Sequence, residues 1–114
     1  MAKQAGFFEQ HWTDADGNPA GGVTTTRGLT ISWQNGPLGR VGSPERMAPN
    51  GAFVEDGIAA LKGRFLFYQE ASDGKFACEE NAKCIALLEQ MEEVCEGRTR
   101  RRIAAKTEGT HEGN

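Results

Sequence analysis

Residues 76–95 read FACEENAKCIALLEQMEEVC, and this stretch predicts a long amphipathic helix. Its apolar positions recur every three or four residues, as they do on a helix that packs along one face: Ala77, Cys84, Leu88, Met91 and Cys95. Asn81 falls on the same stripe. A buried amide without a hydrogen-bond partner costs about 1–3 kcal/mol. We therefore expect Asn81 to meet another subunit, the backbone or a ligand.

A second helical stripe precedes this one, with spacings of four and three residues: Val54, Ile58, Leu61, Phe65 and Tyr68. Asn50 is predicted to cap the start of this first helix. The run Ser72-Asp73-Gly74 is predicted to end it and turn the chain, and the second helix is expected from about residue 75 or 76 to about residue 102. Because the connection is short, the two helices should lie antiparallel.

Residues 1–49 are rich in Gly and Thr and predict β-structure. The turn signal Asp16-Gly17-Asn18-Pro19 lies between FFEQHW and VTTTRGLTISW, which indicates a hairpin followed by a strand over 29–33. A loop is expected over 38–49. The predicted fold is α+β, with a small N-terminal antiparallel sheet before a long antiparallel helical hairpin. We expect one domain, with a β-rich part at 1–49, the helical hairpin at 50–104 and a polar tail at 105–114.

The composition narrows the classes of function. The chain has 114 residues and a net charge of −3, which disfavours generic binding to DNA. We find no secretory signal at the start and no apolar run of membrane-spanning length. The chain has an odd number of cysteines, three, and all of them lie in one predicted helix. This favours a reduced, cytosolic protein. The aromatic residues of the first helix cover more than one face, so an oligomer is expected.

Catalytic motifs and metal motifs are missing from the sequence. There is no P-loop, no GxGxxG and no paired nucleophile and base. No CxxC occurs, and the two histidines, His11 and His111, lie at opposite ends of the chain. The carboxylate pairs Glu55-Asp56 and Glu79-Glu80 are explained by their early positions in helices. We therefore expect a binding protein that is not an enzyme, with no metal and no cofactor.

Three groups of residues are candidates for binding a ligand. The run RTRRR at 98–102 places Arg98 and Arg102 four residues apart, where either can hold a phosphate or simply compensate the helix dipole. The segment WQNGPLGR at 33–40 offers an aromatic ring, amides and Arg40, but it also fits an ordinary turn after a core tryptophan. The aromatic rings at 67, 68 and 76 can stack on a base or belong to the core. Asn81 can contact a ligand or set the register of an oligomer.

Five segments together resemble a known family: TTTRGLTISWQNGPLGR, PNGAFVEDGIAAL, RFLFYQ, KFACEENAKCIALLEQ and a basic run leading into EGTHEGN. They resemble the first family of phage Thoeris anti-defence proteins, from about residue 14 to residue 113. The helical half also resembles the hairpin of an anti-CBASS sponge. The resemblance implies a small non-enzymatic phage protein, in the host bacterial cytoplasm, that sequesters nucleotide second messengers without degrading them.

The implied ligand is a glycocyclic ADP-ribose isomer, and some members of the family also bind cyclic di- or trinucleotides at separate sites. The resemblance implies dimers that assemble into hexamers. Carried over to this chain, the ADP-ribose pocket corresponds to Phe67 or Phe76 with Asn81, and Trp33 is added as a stacking candidate. The phosphate-binding arginines correspond to Arg40 or Arg46 together with Arg98, and Arg102 is added because it shares a helix face with Arg98.

Two departures from the family pattern bear on the second ligand class. The chain has Glu79 where a basic residue is expected, and RTRRR in place of a more regular RTxxR tract. The competing predictions are a nucleic-acid-binding helical oligomer that uses the arginine run, a hydrolase that destroys the messenger, and a protein that inhibits a defence enzyme by binding it.

Overall fold

The computed structural model describes residues 6–105 and 108–111, and three strands precede two helices. The strands are β1 (Phe8–Thr13), β2 (Pro19–Thr26) and β3 (Leu29–Asn35), and the helices are α1 (Val54–Gly74) and α2 (Glu79–Ala104). The strands form one antiparallel sheet in the order β1-β2-β3. The predicted α+β class, with a small antiparallel sheet before two long helices, is confirmed.

The turn between β1 and β2 is organised by the Asp14 carboxylate. Its Oδ1 accepts hydrogen bonds from the backbone N–H groups of Asp16 (2.9 Å) and Asn18 (3.0 Å), and its Oδ2 accepts one from Asn18 Nδ2 (3.3 Å). These bonds, the backbone bond from Asn18 first, hold the pKa of Asp14 below its usual value. The predicted turn is therefore confirmed, and an Asx-type side chain closes it.

A bulge interrupts the pairing of β1 with β2, and its extra residue belongs to β2. His11 pairs with Gly22 and Thr13 pairs with Pro19. Between these pairs β2 therefore has two residues where β1 has one. Gly21 there has φ of 92°, in the left-handed region. A Cβ on Gly22 would lie 2.5 Å from Gln10 O, so only glycine lets the two backbones approach.

Side-chain amides tie the end of β3 to residues 50–52. Gln34 Oε1 accepts hydrogen bonds from the N–H groups of Asn50 (2.9 Å) and Gly51 (3.2 Å). Asn50 in turn binds the backbone of Asn35 through its Oδ1 (2.8 Å) and its Nδ2 (3.0 Å). Ala52 forms a parallel bridge with Trp33. The prediction that Asn50 caps the first helix is wrong, because this side chain is bonded to the sheet and α1 begins at Val54.

The two helices run antiparallel, as two sets of contacts between them show. Lys62 Nζ lies 2.7 Å from Glu92 Oε1, and its hydrogen bond to that carboxylate is the main cause of a raised pKa for Lys62. Nearer the turn, Gln69 binds both backbone groups of Cys78, accepting from its N–H at 2.9 Å and donating to its C=O at 3.1 Å. Lys62 contacts Glu92 and Gln69 contacts Cys78, so later residues of α1 meet earlier residues of the second half of the hairpin. The two helices therefore run antiparallel.

The buried face of α1 is rotated from the predicted stripe. Ile58 is buried and Phe65 is half-buried, as predicted, but Val54, Leu61 and Tyr68 are exposed. Their places are taken by half-buried polar residues, Lys62 and Gln69. The reason is the polar contacts just described, because each polar side chain reaches across to α2 and turns that face of α1 inward.

The turn lies where the sequence predicted it, but α2 begins a few residues later than predicted. Ser72 and Asp73 have φ of 52° and 57°, and Gly74 has φ of 83°, so three left-handed residues reverse the chain where a turn was predicted. The second helix begins at Glu79, later than the predicted residue 75 or 76. Cys78 precedes it, and the Cys78 Sγ accepts the backbone N–H of Asn81 at 3.4 Å.

Two compact units divide the chain. The sheet part comprises residues 6–53 with 102–105 and 108–111, and the hairpin part comprises residues 54–101. No helix in the described ranges is both long and apolar enough to cross a bilayer.

Candidate functional site

Phe76 and Asn81 are the two predicted ligand residues that the hairpin part brings together. Asn81 lies in the first turn of α2, half-buried, and its Nδ2 donates a hydrogen bond to Phe76 O at 3.4 Å. The backbone is thus the partner for this amide, one of the three expected. Asn81 Oδ1 accepts no hydrogen bond within residues 6–105 and 108–111, so it can still meet a donor on a ligand.

The Phe76 ring faces solvent with a cation beside it. The side chain is 55% exposed, and Lys75 Nζ lies 5.6 Å from the centre of the ring. A cation at that distance is attracted by the face of the ring and can meet an anionic group there. Aromatic ring, amide and ammonium therefore lie within seven residues, 75–81.

Phe67 belongs to a second aromatic group, on α1. The rings of Phe67 and Tyr68 lie 6.0 Å apart, and the Arg64 guanidinium carbon lies 4.9 Å from the centre of each ring. Arg64 Nε also donates to the Tyr68 hydroxyl at 3.2 Å. Sequence reasoning missed Arg64, although its spacing of three and four residues from the two aromatics was the available signal. Lys75, next to Phe76, was missed as well.

Trp33 lies in the sheet part, away in sequence from the other aromatic candidates. Its indole is half-buried, and its Nε1 donates to Thr24 Oγ1 at 2.8 Å. Thr24 is itself 7% exposed and donates to Glu9 Oε2 at 3.4 Å. The neighbouring Gln34 and Asn35 are engaged with residues 50 and 51. Hydrogen bonds to β2 and to residues 50 and 51 thus hold the side chains and backbone at the end of β3.

Arg102 is the most deeply enclosed charge in the described chain. Arg102 is only 4% exposed. Its Nε lies 3.5 Å from Glu108 Oε1, and its Nη2 donates a hydrogen bond to Thr110 O at 2.7 Å. Residues 108–111 therefore dock on the sheet part. The expected polar tail begins with this ordered turn, and residues 106, 107 and 112–114 lie outside the described part.

Two more candidate arginines meet the same turn through Gly39. The Gly39 N–H donates to Gly109 O at 2.8 Å, and Gly39 O accepts from Arg46 Nη1 at 2.8 Å. Arg40 follows in the chain and lines a cavity of about 300 Å³ together with Val41, Ile103 and Glu108. Three of the four predicted phosphate ligands therefore converge on the 108–110 turn, although Glu108 adds a negative charge among them.

Arg98 is the fourth candidate, and it is exposed on α2 in the hairpin part. Arg100, two residues on, lies 3.8 Å from Glu96 in a surface pair. Arg101 is exposed as well. The arginine run thus separates into exposed residues and one buried residue, a difference that its spacing alone did not predict.

No group of three or more metal-ligating side chains occurs in the described ranges 6–105 and 108–111. The three cysteines are free, with Cys78 exposed and Cys84 and Cys95 half-buried. The sequence matches no protein-family model, and it matches none of the curated proteins. The function proposed for the chain therefore rests on the site and on the resemblance of its motifs.

Proposed function

We propose that this chain sequesters an intact nucleotide second messenger, a glycocyclic ADP-ribose isomer, inside the host bacterial cytoplasm. The observation that carries the proposal is the group at the start of α2. An exposed Phe76 ring, the open Asn81 Oδ1 and the Lys75 ammonium stand within one short segment. They are the three groups that a nucleotide requires: a stacking surface, an acceptor for an exocyclic amine, and a cation for phosphate.

Sequestration without turnover requires tight binding. To compete with a receptor of nanomolar to micromolar affinity, the protein needs about −10 to −12 kcal/mol of binding free energy. One exposed ring, one amide and one ammonium group do not supply this much binding free energy. We therefore propose that the pocket is completed by a second copy of the chain, which would enclose the ligand between subunits.

Two exposed apolar stripes on the hairpin part support a homo-oligomer, which we propose to be the dimer and hexamer that the family resemblance implies. On α1 the stripe has a spacing of seven residues, and on α2 it has spacings of four and three: Val54, Leu61 and Tyr68, then Leu87, Met91 and Val94. Such stripes favour burial against another helix surface. The same surface also suits the competing function, direct binding to a defence enzyme.

For cyclic di- or trinucleotides we propose a second site that uses arginines. Arg98 is exposed, and Arg40 stands in the cavity wall. Arg46 is bonded to Gly39, and for Arg102 to grip a phosphate its contacts with Glu108 and Thr110 must open. We propose Arg98 as a phosphate ligand on the hairpin part and Arg40 as one on the sheet part, and we assign Arg46 and Arg102 to holding the loop and the turn.

The decisive experiment is release of the ligand by heat. The purified full chain is incubated with a messenger-rich filtrate, re-isolated and denatured, and the released molecules are identified by mass spectrometry. Intact cyclic ADP-ribose isomer supports sequestration. Recovery of cleaved products alone would make the protein an enzyme, and a free messenger with nothing bound would favour the enzyme-binding inhibitor.

Matched variants separate the two ligand classes. Asn81→Ala should abolish retention of the ADP-ribose isomer, whereas Gln90→Ala, which removes an exposed amide from the same helix, should retain it. Arg98→Ala should abolish retention of cyclic nucleotides, and Arg101→Ala, an exposed neighbour, should not. If Asn81→Ala and Arg98→Ala each abolish both classes, one shared pocket replaces the two-site proposal.

A further inference from the structure

The outer edge of β1 is open for pairing. All six residues of the strand are exposed, and within the described ranges β2 is the strand that pairs with it. Among the features by which proteins protect such edges are lysine, proline and a bulge in the edge strand. β1 contains no lysine and no proline, and the extra residue of its bulge lies on β2. None of these three protections therefore blocks the edge.

The sequence of β1 is complementary to itself when read backwards. If two copies pair antiparallel about Gln10, then Phe8 of each copy faces Trp12 of the other. In the same register Glu9 faces His11. Phe8 is 55% exposed and Trp12 is 48% exposed, so both large rings gain cover in this arrangement. Directly opposed aromatic pairs stabilise antiparallel strands, and a carboxylate opposite an imidazole can form a hydrogen-bonded pair.

The two kinds of pair would lie on opposite faces of the sheet, because side chains alternate along a strand. Glu9 and His11 already interact within the chain, with Glu9 Oε2 3.3 Å from His11 Nε2. Adding the second copy would place two carboxylates and two imidazoles in a two-by-two arrangement, in which each carboxylate has an imidazole beside it on its own strand and another opposite. An imidazole N–H can donate to a carboxylate in either protonation state, so each Glu9 would gain a second donor.

We infer that the β1 edge binds the β1 edge of a second copy of this chain, in a two-fold antiparallel pairing centred on Gln10. This produces one continuous six-stranded sheet. The same patch is used by both copies, as a two-fold interface requires. The contact is separate from the helical stripes and does not depend on the proposed messenger binding, so either proposal can fail without the other.

A charge exchange tests the register. His11→Glu places a carboxylate opposite Glu9 at both pairs that the two-fold relates, and we expect self-association measured by sedimentation to weaken about tenfold. The double variant Glu9→His with His11→Glu recreates each opposed pair and should restore association. Thermal unfolding of each variant is recorded alongside, since repulsion within one chain lowers the melting temperature without changing the mass.

Site-specific crosslinking tests the centre of the pairing. In a background with serine at the three native cysteine positions, Gln10→Cys should form a disulfide-linked dimer at low micromolar concentration, because opposed Cα atoms of antiparallel strands lie about 4.5–5.5 Å apart, a separation that a disulfide spans. Thr30→Cys, exposed on β3, is the matched control and should stay monomeric on a non-reducing gel. Equal crosslinking at both positions, or an unchanged mass for His11→Glu, would overturn the inference.

Discussion

The sheet part and the hairpin part are stabilised by different kinds of buried group. In the sheet part the buried described residues are Gly22, Thr24 and Arg102, none of which is a large apolar side chain. In the hairpin part they are Ile58 and Leu88. The fully buried groups of the sheet part are therefore small or polar, whereas those of the hairpin part are apolar and add to the polar contacts between its helices. A polar interior needs every partner in place, since a lost partner leaves an unpaired group behind.

The largest effect should come from removing the enclosed charge of the sheet part. Arg102→Ala removes the contacts of this enclosed side chain with Glu108 and with Thr110 O, and we expect a loss of about 3–5 kcal/mol in the free energy of unfolding. Urea denaturation measures it. Arg101→Ala is the control, and as an exposed neighbour it should change stability by less than about 0.5 kcal/mol. Equal midpoints for the two variants would contradict the contrast between the two parts.

The apolar packing of the hairpin part is tested at Leu88, which is 8% exposed. Leu88→Ala removes buried methyl groups and leaves a cavity, so we expect a loss of about 2–3 kcal/mol by the same urea assay. The adjacent Leu87 is 58% exposed, and Leu87→Ala should cost far less. If the two variants cost the same, the monomeric hairpin is not the packed unit, and Leu87 is buried by another copy.

The amide network at the end of β3 should contribute a smaller amount. Gln34→Ala deprives the N–H groups of Asn50 and Gly51 of their shared acceptor, and about 1–2 kcal/mol should be lost. Gln90→Ala, on the exposed face of α2, serves as the comparison. Amide hydrogen exchange sharpens the test, because protection should fall at residues 50 and 51. Unchanged exchange there would show that the network does not hold this segment.

The smallest effect should appear only in acid. The pKa of Asp14 is lowered in the folded chain, so its contribution to stability is complete above its ordinary value of 3.8 and is lost as the pH falls further through the folded pKa. Asp14→Asn should remove this part of the pH dependence of the melting temperature. Asp16→Asn is the control, since the Asp16 carboxylate accepts none of these bonds. A persistent acid dependence in Asp14→Asn would exclude the turn as its source.

Local patterns in the sequence were enough to predict the elements. Whether a segment forms a strand, a turn or a helix depends largely on residues a few positions apart. This holds for the alternating apolar residues at 29–33, the turn residues at 16–19 and the apolar residues spaced three or four apart between 54 and 95. Phe76 and Asn81 were found together for the same reason, because they are only five positions apart in the sequence. The sequence by itself determined the α+β class and the order of its elements.

Only the tertiary structure decided which polar side chains are engaged by other groups of the same chain. Asn50 was predicted to cap a helix, but it binds Asn35, which is fifteen residues earlier. Arg102 has the same chemistry as Arg98 four residues before it, yet only Arg102 is enclosed, by a turn that follows α2. These partners are hydrogen-bonded across segments that only folding brings together. The spacing of apolar residues along the sequence therefore carries no information about them.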